Sequence, residues 1–437
     1  MACTADLAMM SSVAMMAADV KRAIDAVWRI ESARLIAHLA RLVRNVGLAE
    51  ELAQDALVAA LEQWPRCGIP DNPGAWLMAT ARNRGIDHLR RERMLSRKHE
   101  ELGHTLEMEQ HMNGSSPESR ADDEIGDDLL RLIFTACHPL LSREARSALT
   151  LKLLAGLTTT EIARAFLVPE ATIAQRIVRA KRTLAEAQVP FELPRRAELR
   201  ERLSSVLEVI YLVFNEGYSA TAGEDWMRPA LCEEALRIGR ILAELAPGES
   251  EVHGLVALME IQASRLRARL GADGEPILLM EQNRTLWDRL LIHRGLLALA
   301  RGEALGETRG PYLLQAAIAA CHARALTAAD TDWVFITALY DELVRLEPSP
   351  VIELNRAVAV ALAYGPAAGL ELADRLAAQG ALSCYHLLPS VRGDLLARLG
   401  RYSEARGEFE RAAALTRNER EIRLLRNRAH RCERGEL

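Results

Sequence analysis

The stretch "LTTTEIARAFLVPEATIAQRIVRAKRTL", Leu157 to Leu184, constrains this chain more than any other. Its second half places Ile173, Ile177, Ala180 and Leu184 at spacings of four, three and four, which makes one apolar stripe on an α-helix. Thr172, Gln175, Arg176, Arg179 and Arg182 recur on the opposite side. Pro169 suits a first helical turn, where a missing N–H costs nothing. The first half opens with Thr158 and carries Glu161 at capping-box spacing, with Ile162 and Phe166 as its apolar edge. Two helices joined by so short a turn cross steeply and leave the basic face of the second one free. That is the helix-turn-helix arrangement, whose second helix enters a DNA major groove. The same residues also fit a helical hairpin with a solvated basic face, so the rest of the chain must decide.

Aromatic residues make up only 4% of the 437 residues and hydrophobic ones 49%, with Ala, Leu and Arg dominant, which predicts an all-α protein of two to four domains. A net charge of −5 excludes a wholesale nucleic-acid binder, so any DNA contact must come from local basic patches. The seven Cys are dispersed without a CxxC pair, as suits a reducing cytoplasm. Cys137-His138 and Cys321-His322 lack metal-ligand spacing, so neither a metal nor a cofactor is expected. No apolar run approaches the ~20 residues of a membrane span, and no membrane contact is expected. Residues 1–20 are Met-rich and lack a basic n-region, which argues against a signal peptide. They read as a functional tail or as the product of a start placed upstream of Met15 or Met16.

Charge then divides the chain. Within 21–98, "GLAEELAQDALVAALEQW" (47–64) puts Leu52, Ala56, Ala60, Leu61 and Trp64 on one face and leaves Glu50, Glu51, Gln54, Asp55 and Glu62 for solvent or a partner. "PRCGIPDNPG" (65–74) reads as a loop. The helix at 75–98 carries seven Arg/Lys against Asp87 and Glu92. Residues 99–128 reverse the sign, with ten acids against Arg120, so 99–126 is read as a flexible acidic linker. Residues 127–188 are helical again, and "VPFELP" (189–194) is a proline-bounded joint. From 195 to 437, amphipathic helices alternate with Gly/Pro breaks. In "GDLLARLGRYSEARGEFERAAAL" (393–415), Gly393, Leu396, Gly400, Tyr402, Ala405, Phe409 and Ala412 fall where a tetratricopeptide helix pair packs. Gly365 precedes Gly400 by 35 residues, close to the repeat period. The expectation is a helical solenoid or a bundle related to one.

Two basic helical domains, an acidic linker and a helix-turn-helix in that order resemble a bacterial RNA polymerase sigma factor of the extracytoplasmic-function (ECF) type. The closer resemblance is to the subgroup with a long tetratricopeptide-like C-terminal extension, of which "YLVFNEGYSA" (211–220), "DGEPILLMEQNRTLWD" (273–288) and "DTDW" (330–333) look typical. The resemblance covers nearly everything from about Val20 onward. It implies core RNA polymerase, at its clamp and flap, and promoter DNA as partners. A protein partner of the C-terminal domain is a further expectation. Residues 21–98 correspond to sigma region 2 and 127–188 to sigma region 4. Glu51, Gln54 and Asp55 then stand where the family docks on the clamp, Glu51 where Asp is usual. "NPGAWLMATARNRGIDHLRRER" corresponds to the helix and loop that open and read the minus-ten element, which nominates Asn72, Trp76, Arg82 and Asn83. Further along the same helix it nominates Arg90, Arg91 and Arg93. For Trp64, core packing is the preferred reading.

The opening stretch corresponds to the reader of the minus-thirty-five element, through Thr172, Gln175, Arg176, Arg179 and Arg182. Arg176 suits a guanine and Gln175 an adenine, while Arg179 and Arg182 suit phosphate. In the extension, Asp273, Glu275, Glu281, Asp288, Asp330 and Asp332 have no His or nucleophile at a telling spacing, so no enzyme is expected. The rival reading is a helix-turn-helix regulator with a solenoid sensor that never enters polymerase; it leaves residues 47–98 unexplained.

Overall fold

The computed structural model describes the backbone of residues 2–100, 121–166, 168–194, 196–219, 222–223, 226–271, 274–306, 308–380 and 382–435. Helices dominate it, and the chain divides into two compact units, Met1–Val209 and Ile210–Leu437. The first unit opens with α1 (Ala2–Val43), α2 (Val46–Cys67) and α3 (Pro73–Glu100), which pack on one another. Then come α4 (Ala121–Ala136), α5 (Arg143–Leu153), α6 (Thr159–Phe166) and α7 (Glu170–Glu186), and the start of α8 (Arg196–Tyr218).

Helix α2 shows how sequence sets this packing. Asn45 caps it, its Oδ1 accepting from the Leu48 N–H at 3.1 Å. Val46, Ala49, Leu52, Ala53, Ala56, Ala60 and Trp64 form a buried stripe at helical spacing on a helix that packs on α1, where Ala33, Ala37 and Ala40 are buried too. Small residues on both sides let the two backbones approach closely. Two sequence expectations are corrected here. Leu61 is 39% exposed because the stripe runs through Ala60 and Trp64 beside it. The helix also continues through Pro65 to Cys67, where a missing N–H costs a single bond at the helix end, so the loop begins only at Gly68.

A larger correction concerns Glu50, expected at the surface and found 3% exposed. Position 50 lies four residues after Val46 and three before Ala53, on the buried stripe itself. The carboxylate forms ion pairs with Lys152 of α5, at 3.6 Å, and with Lys181 of α7, and Gln54 Nε2 donates to its Oε1 at 2.7 Å. Asp128, counted with the linker acids, is likewise buried, paired with Arg41 of α1 at 3.1 Å and Arg131 at 2.7 Å. Buried charges persist only when paired and hydrogen-bonded, so these two carboxylates hold the N-terminal helices and the helix-turn-helix in one compact unit. Most of the acidic linker read at 99–126 lies outside the described residues. Its two ends are helical: α3 runs to Glu100 and α4 starts at Ala121.

The first unit also extends beyond the joint at 189–194. Arg202 Nη2 donates to the Phe134 carbonyl at 2.9 Å, and the Ser205 hydroxyl donates to the Cys137 carbonyl at 2.8 Å. Arg146, 9% exposed, donates to Ser205 and pairs with Glu208 at 3.5 Å. The first turns of α8 therefore close the end of α4, and the two units divide inside α8 and not at residue 195, where the sequence placed the start of the extension.

The second unit continues with α9 (Pro229–Leu245), α10 (Ser250–Ala263), α11 (Arg289–Leu305), α12 (Pro311–Arg324) and α13 (Trp333–Leu346). It ends with α14 (Pro350–Tyr364), α15 (Pro366–Ala378), α16 (Leu387–Arg398), α17 (Tyr402–Leu415) and α18 (Glu419–Arg434). From α12 onward each helix packs on the next. The turns of α14–α15 and α16–α17 use Gly365 (φ 105°) and Gly400 (φ 74°), a backbone region closed to most side chains. Gly393, Leu396, Ala405, Phe409 and Ala412 are all buried in this array. Among the described residues, the one sheet is a parallel pair of two-residue strands, β1 (Ala222–Gly223) with β2 (Arg417–Asn418), which ties the start of the unit to its last helix turn. The acids of the extension serve local structure. Asp288 caps α11, Asp332 caps α13, Asp330 bonds Thr327, and Glu275 pairs with Arg423 at 3.2 Å; Asp273 lies outside the described residues.

Two outcomes follow from these contacts. Glu50→Ala leaves two ammonium groups facing each other, and thermal unfolding should report a loss of about 3 kcal/mol, since breaking a buried pair costs 3–5 and the lysines keep about a fifth of their surface in water. A loss below about 1 kcal/mol contradicts the pairing. A chain ended after Arg195 should melt well below one ended after Val209, because it abandons the carbonyls of Phe134 and Cys137 and the buried Arg146 guanidinium. Equal melting temperatures contradict the placement of the boundary inside α8.

Candidate nucleic-acid interface

The helix-turn-helix forms as its capping chemistry dictates. Thr158 N–H donates to Glu161 Oε2 at 2.8 Å and the Glu161 N–H donates back to Thr158 Oγ1 at 3.1 Å. The Thr160 hydroxyl donates to Glu170 Oε1 at 2.9 Å and fixes the start of α7 against α6. Ile173, Ile177, Ala180 and Leu184 are all at most 5% exposed, so the apolar stripe faces the core. Gln175, Arg179 and Arg182 are exposed on the other side, with Thr172 and Arg176 half-buried at its edge. All five nominated residues thus share the free side of one helix.

They are not equivalent. Arg182 Nε is 2.6 Å from Glu186 Oε1, a bond that raises the guanidinium pKa further and that a phosphate must compete with. Arg176 sits near Glu144, whose carboxyl is held below its usual range by its own backbone N–H, the Ser142 hydroxyl and then Arg176. Arg179 records no partner among the described residues. Lys181, three residues before Leu184, turns inward to Glu50 and away from the exposed side of the helix.

On the other half of the unit, Arg82, Asn83, Arg90 and Arg91 are exposed along α3. The Arg93 side chain lies outside the described residues. Arg90 is 3.7 Å from Asp87 and leaves most of its surface in water. Asn72 and Trp76 hold structure: Asn72 Oδ1 caps α3 by accepting from the Ala75 N–H at 3.0 Å, and Trp76 packs edge-on against Trp64 with ring centroids 5.4 Å apart. Trp64 is 2% exposed, in the core as read. Of the three nominated clamp residues, Glu51 and Asp55 are exposed, Asp55 near Arg84 at 3.5 Å, whereas Gln54 is half-buried and turned to Glu50.

Sequence reasoning missed a cavity of about 580 Å³ in the same unit, lined among others by Arg41, Arg44, Asn45, Lys181 and Gln188. Its walls come from residues 41–47, Thr135 and residues 181–192, and no spacing in the chain announces that they meet.

A basic helix-turn-helix face and a second exposed basic helix on one compact unit define a DNA-binding protein. The comparisons specify its class. Residues 29–94 match Sigma-70 region 2, residues 131–184 match Sigma-70, region 4, and residues 202–303 match a family of unknown function, DUF6596. An uncharacterized protein of Rhizobium meliloti (strain 1021) is 46% identical over 395 residues, spanning 89% of this chain and 90% of its own. The ECF RNA polymerase sigma factor SigC of Mycobacterium tuberculosis (strain CDC 1551 / Oshkosh) is 28% identical over 162 residues, 37% of this chain and 78% of its own. The probable RNA polymerase sigma-C factor of Mycobacterium bovis matches to the same extent. No solved structure matches. The chain belongs to the ECF sigma factors, with a helical C-terminal extension. It is an RNA polymerase sigma factor, a class whose domains bind core RNA polymerase and promoter DNA.

Arg176→Ala should cost ~1–3 kcal/mol and relax preference at one promoter position. Arg179→Ala should weaken binding evenly across sequences and lower its salt dependence. A base-substitution scan that shows no positional change for Arg176→Ala contradicts the direction in which α7 is laid into the groove.

Proposed function

We propose that residues 21–98 dock on the polymerase clamp and read the minus-ten element, and that residues 127–188 read the minus-thirty-five element beside the flap. The observation that carries this reading is the free polar face of α7 over a fully buried stripe. That face carries Gln175, Arg179 and Arg182 exposed, with Thr172 and Arg176 half-buried at its edge. Glu51 and Asp55 meet the clamp as exposed acids on α2, and Gln54 supports them through Glu50. Arg82, Asn83, Arg90 and Arg91 follow the opened strand, which needs cationic backbone contacts. Asn72 and Trp76 shape the start of α3, so their part is to present the neighbouring loop. Thr172, Gln175 and Arg176 face bases, and Arg179 and Arg182 face phosphates.

This work is done by binding and carries no catalytic residue, and it takes place in the cytoplasm. Among the described residues no helix is long and apolar enough to cross a membrane, and no group of His, Cys, Asp and Glu is arranged to hold a metal. The second unit regulates the first by binding a protein partner of its own. Run-off transcription with purified core polymerase tests the assignment. Glu51→Ala with Asp55→Ala should lower core affinity and transcript yield about tenfold, with unchanged circular dichroism because both sites are exposed and Ala favours helix. Unchanged core affinity in a folded double variant removes the clamp assignment.

A further inference from the structure

The three segments typical of the extended subgroup, 211–220, 273–288 and 330–333, are not used by promoter reading. In the second unit they converge. Arg284 Nη1 donates to the carbonyls of His322 and Ala325, both at 2.7 Å, and its Nη2 donates to Thr331 Oγ1 at 3.1 Å, which pins the C-terminal end of α12. The Trp287 ring lies 4.9 Å from the Arg284 guanidinium and 5.7 Å from that of Arg265. Trp333 packs edge-on against the His322 ring at 5.1 Å.

What this scaffold frames is a cavity of about 240 Å³, smaller than the ~300–1,000 Å³ of pockets for drug-sized ligands. Leu258, Ile261 and Ile318 form an apolar wall, and Tyr211, Gln262 and Gln315 add polar groups. No carboxylate lines it among the described residues, and Arg265 does. Arg265 donates through Nη2 to Tyr218 and Gln262, and records no hydrogen bond through Nε or Nη1. His322 also lines the cavity, is 9% exposed, and keeps a buried Nδ1 without a partner. Burial, with Arg265 and Arg284 nearby, pushes its imidazole down to about 3, so the ring is neutral at neutral pH. The formal charge of the lining is therefore the Arg265 cation alone. A buried polar nitrogen without a partner and a cation with spare donors, set against an aliphatic wall, are what a small amphipathic anion satisfies.

We propose that this cavity binds a small organic monocarboxylate, its carboxylate on Arg265 and its apolar body against Leu258, Ile261 and Ile318. The proposal needs no polymerase, so its failure leaves the promoter-reading assignment standing. The test is isothermal titration of the full-length protein with benzoate, phenylacetate and hexanoate, each beside its primary amide, with tryptophan fluorescence as a second signal from Trp287 and Trp333. At least one carboxylate should bind saturably at one site below ~10 mM, and its amide about tenfold more weakly. Arg265→Gln should remove that preference. Asn355→Trp, at an exposed position of the lining, should block entry without disturbing the fold. The proposal is overturned if no carboxylate binds saturably, if the amides bind equally well, or if a folded Asn355→Trp protein keeps the wild-type affinity.

Discussion

A carboxylate taken almost wholly out of water organises the unit that carries the two Sigma-70 regions. Glu50 sits on the buried stripe of α2, where Lys152 of α5 and Lys181 of α7 reach it. Burying one carboxylate alone costs several kcal/mol, so the site exists only while the three helices are together. That dependence runs in both directions. Lys181 is turned from the exposed face of α7, and Gln54 from the exposed face of α2, because both pair with Glu50. The faces left over are exposed: Glu51 and Asp55 on α2, and Gln175 and Arg179 on α7.

The molecule uses arginine in two ways. In the first unit Arg82, Arg90 and Arg91 of α3 and Arg179 and Arg182 of α7 lie exposed at the surface. In the second unit the buried ones, Arg269 and Arg284, are structural. Arg269 stacks 3.6 Å over the Tyr218 ring and 4.4 Å from Trp226, and Arg284 anchors the end of α12. Burial lowers the pKa of both, yet a guanidinium stays charged, and the aromatic faces and carbonyls around it supply the stabilisation that water no longer does. A net charge of −5 thus conceals arginines in water and arginines buried against rings and carbonyls.

The helix-turn-helix was legible in the chain because local physics decides it: a capping box, a proline at the turn and a stripe at spacings of three and four are all short-range. The Gly365 and Gly400 turns were legible for the same reason. Glu50 and Asp128 were misread because chemistry of type places acids outside, and what brought them inside lies far along the chain, in Lys152, Lys181 and Arg41. The division inside α8 was hidden because a proline-bounded joint is a local signal, whereas the contacts of Arg202 and Ser205 with the end of α4 are not. The same distance in sequence concealed the cavity beside Arg265, whose walls come from residues 211 to 355.

The central claim is that this chain opens promoters only as part of polymerase. Permanganate footprinting of a cognate promoter tests it most directly, because the reagent attacks thymines that have left the stack. The account predicts reactive thymines at the minus-ten element when core polymerase and the chain are both present, and none with either alone. A footprint from the chain by itself, with no thymine made reactive on adding core polymerase, would contradict it.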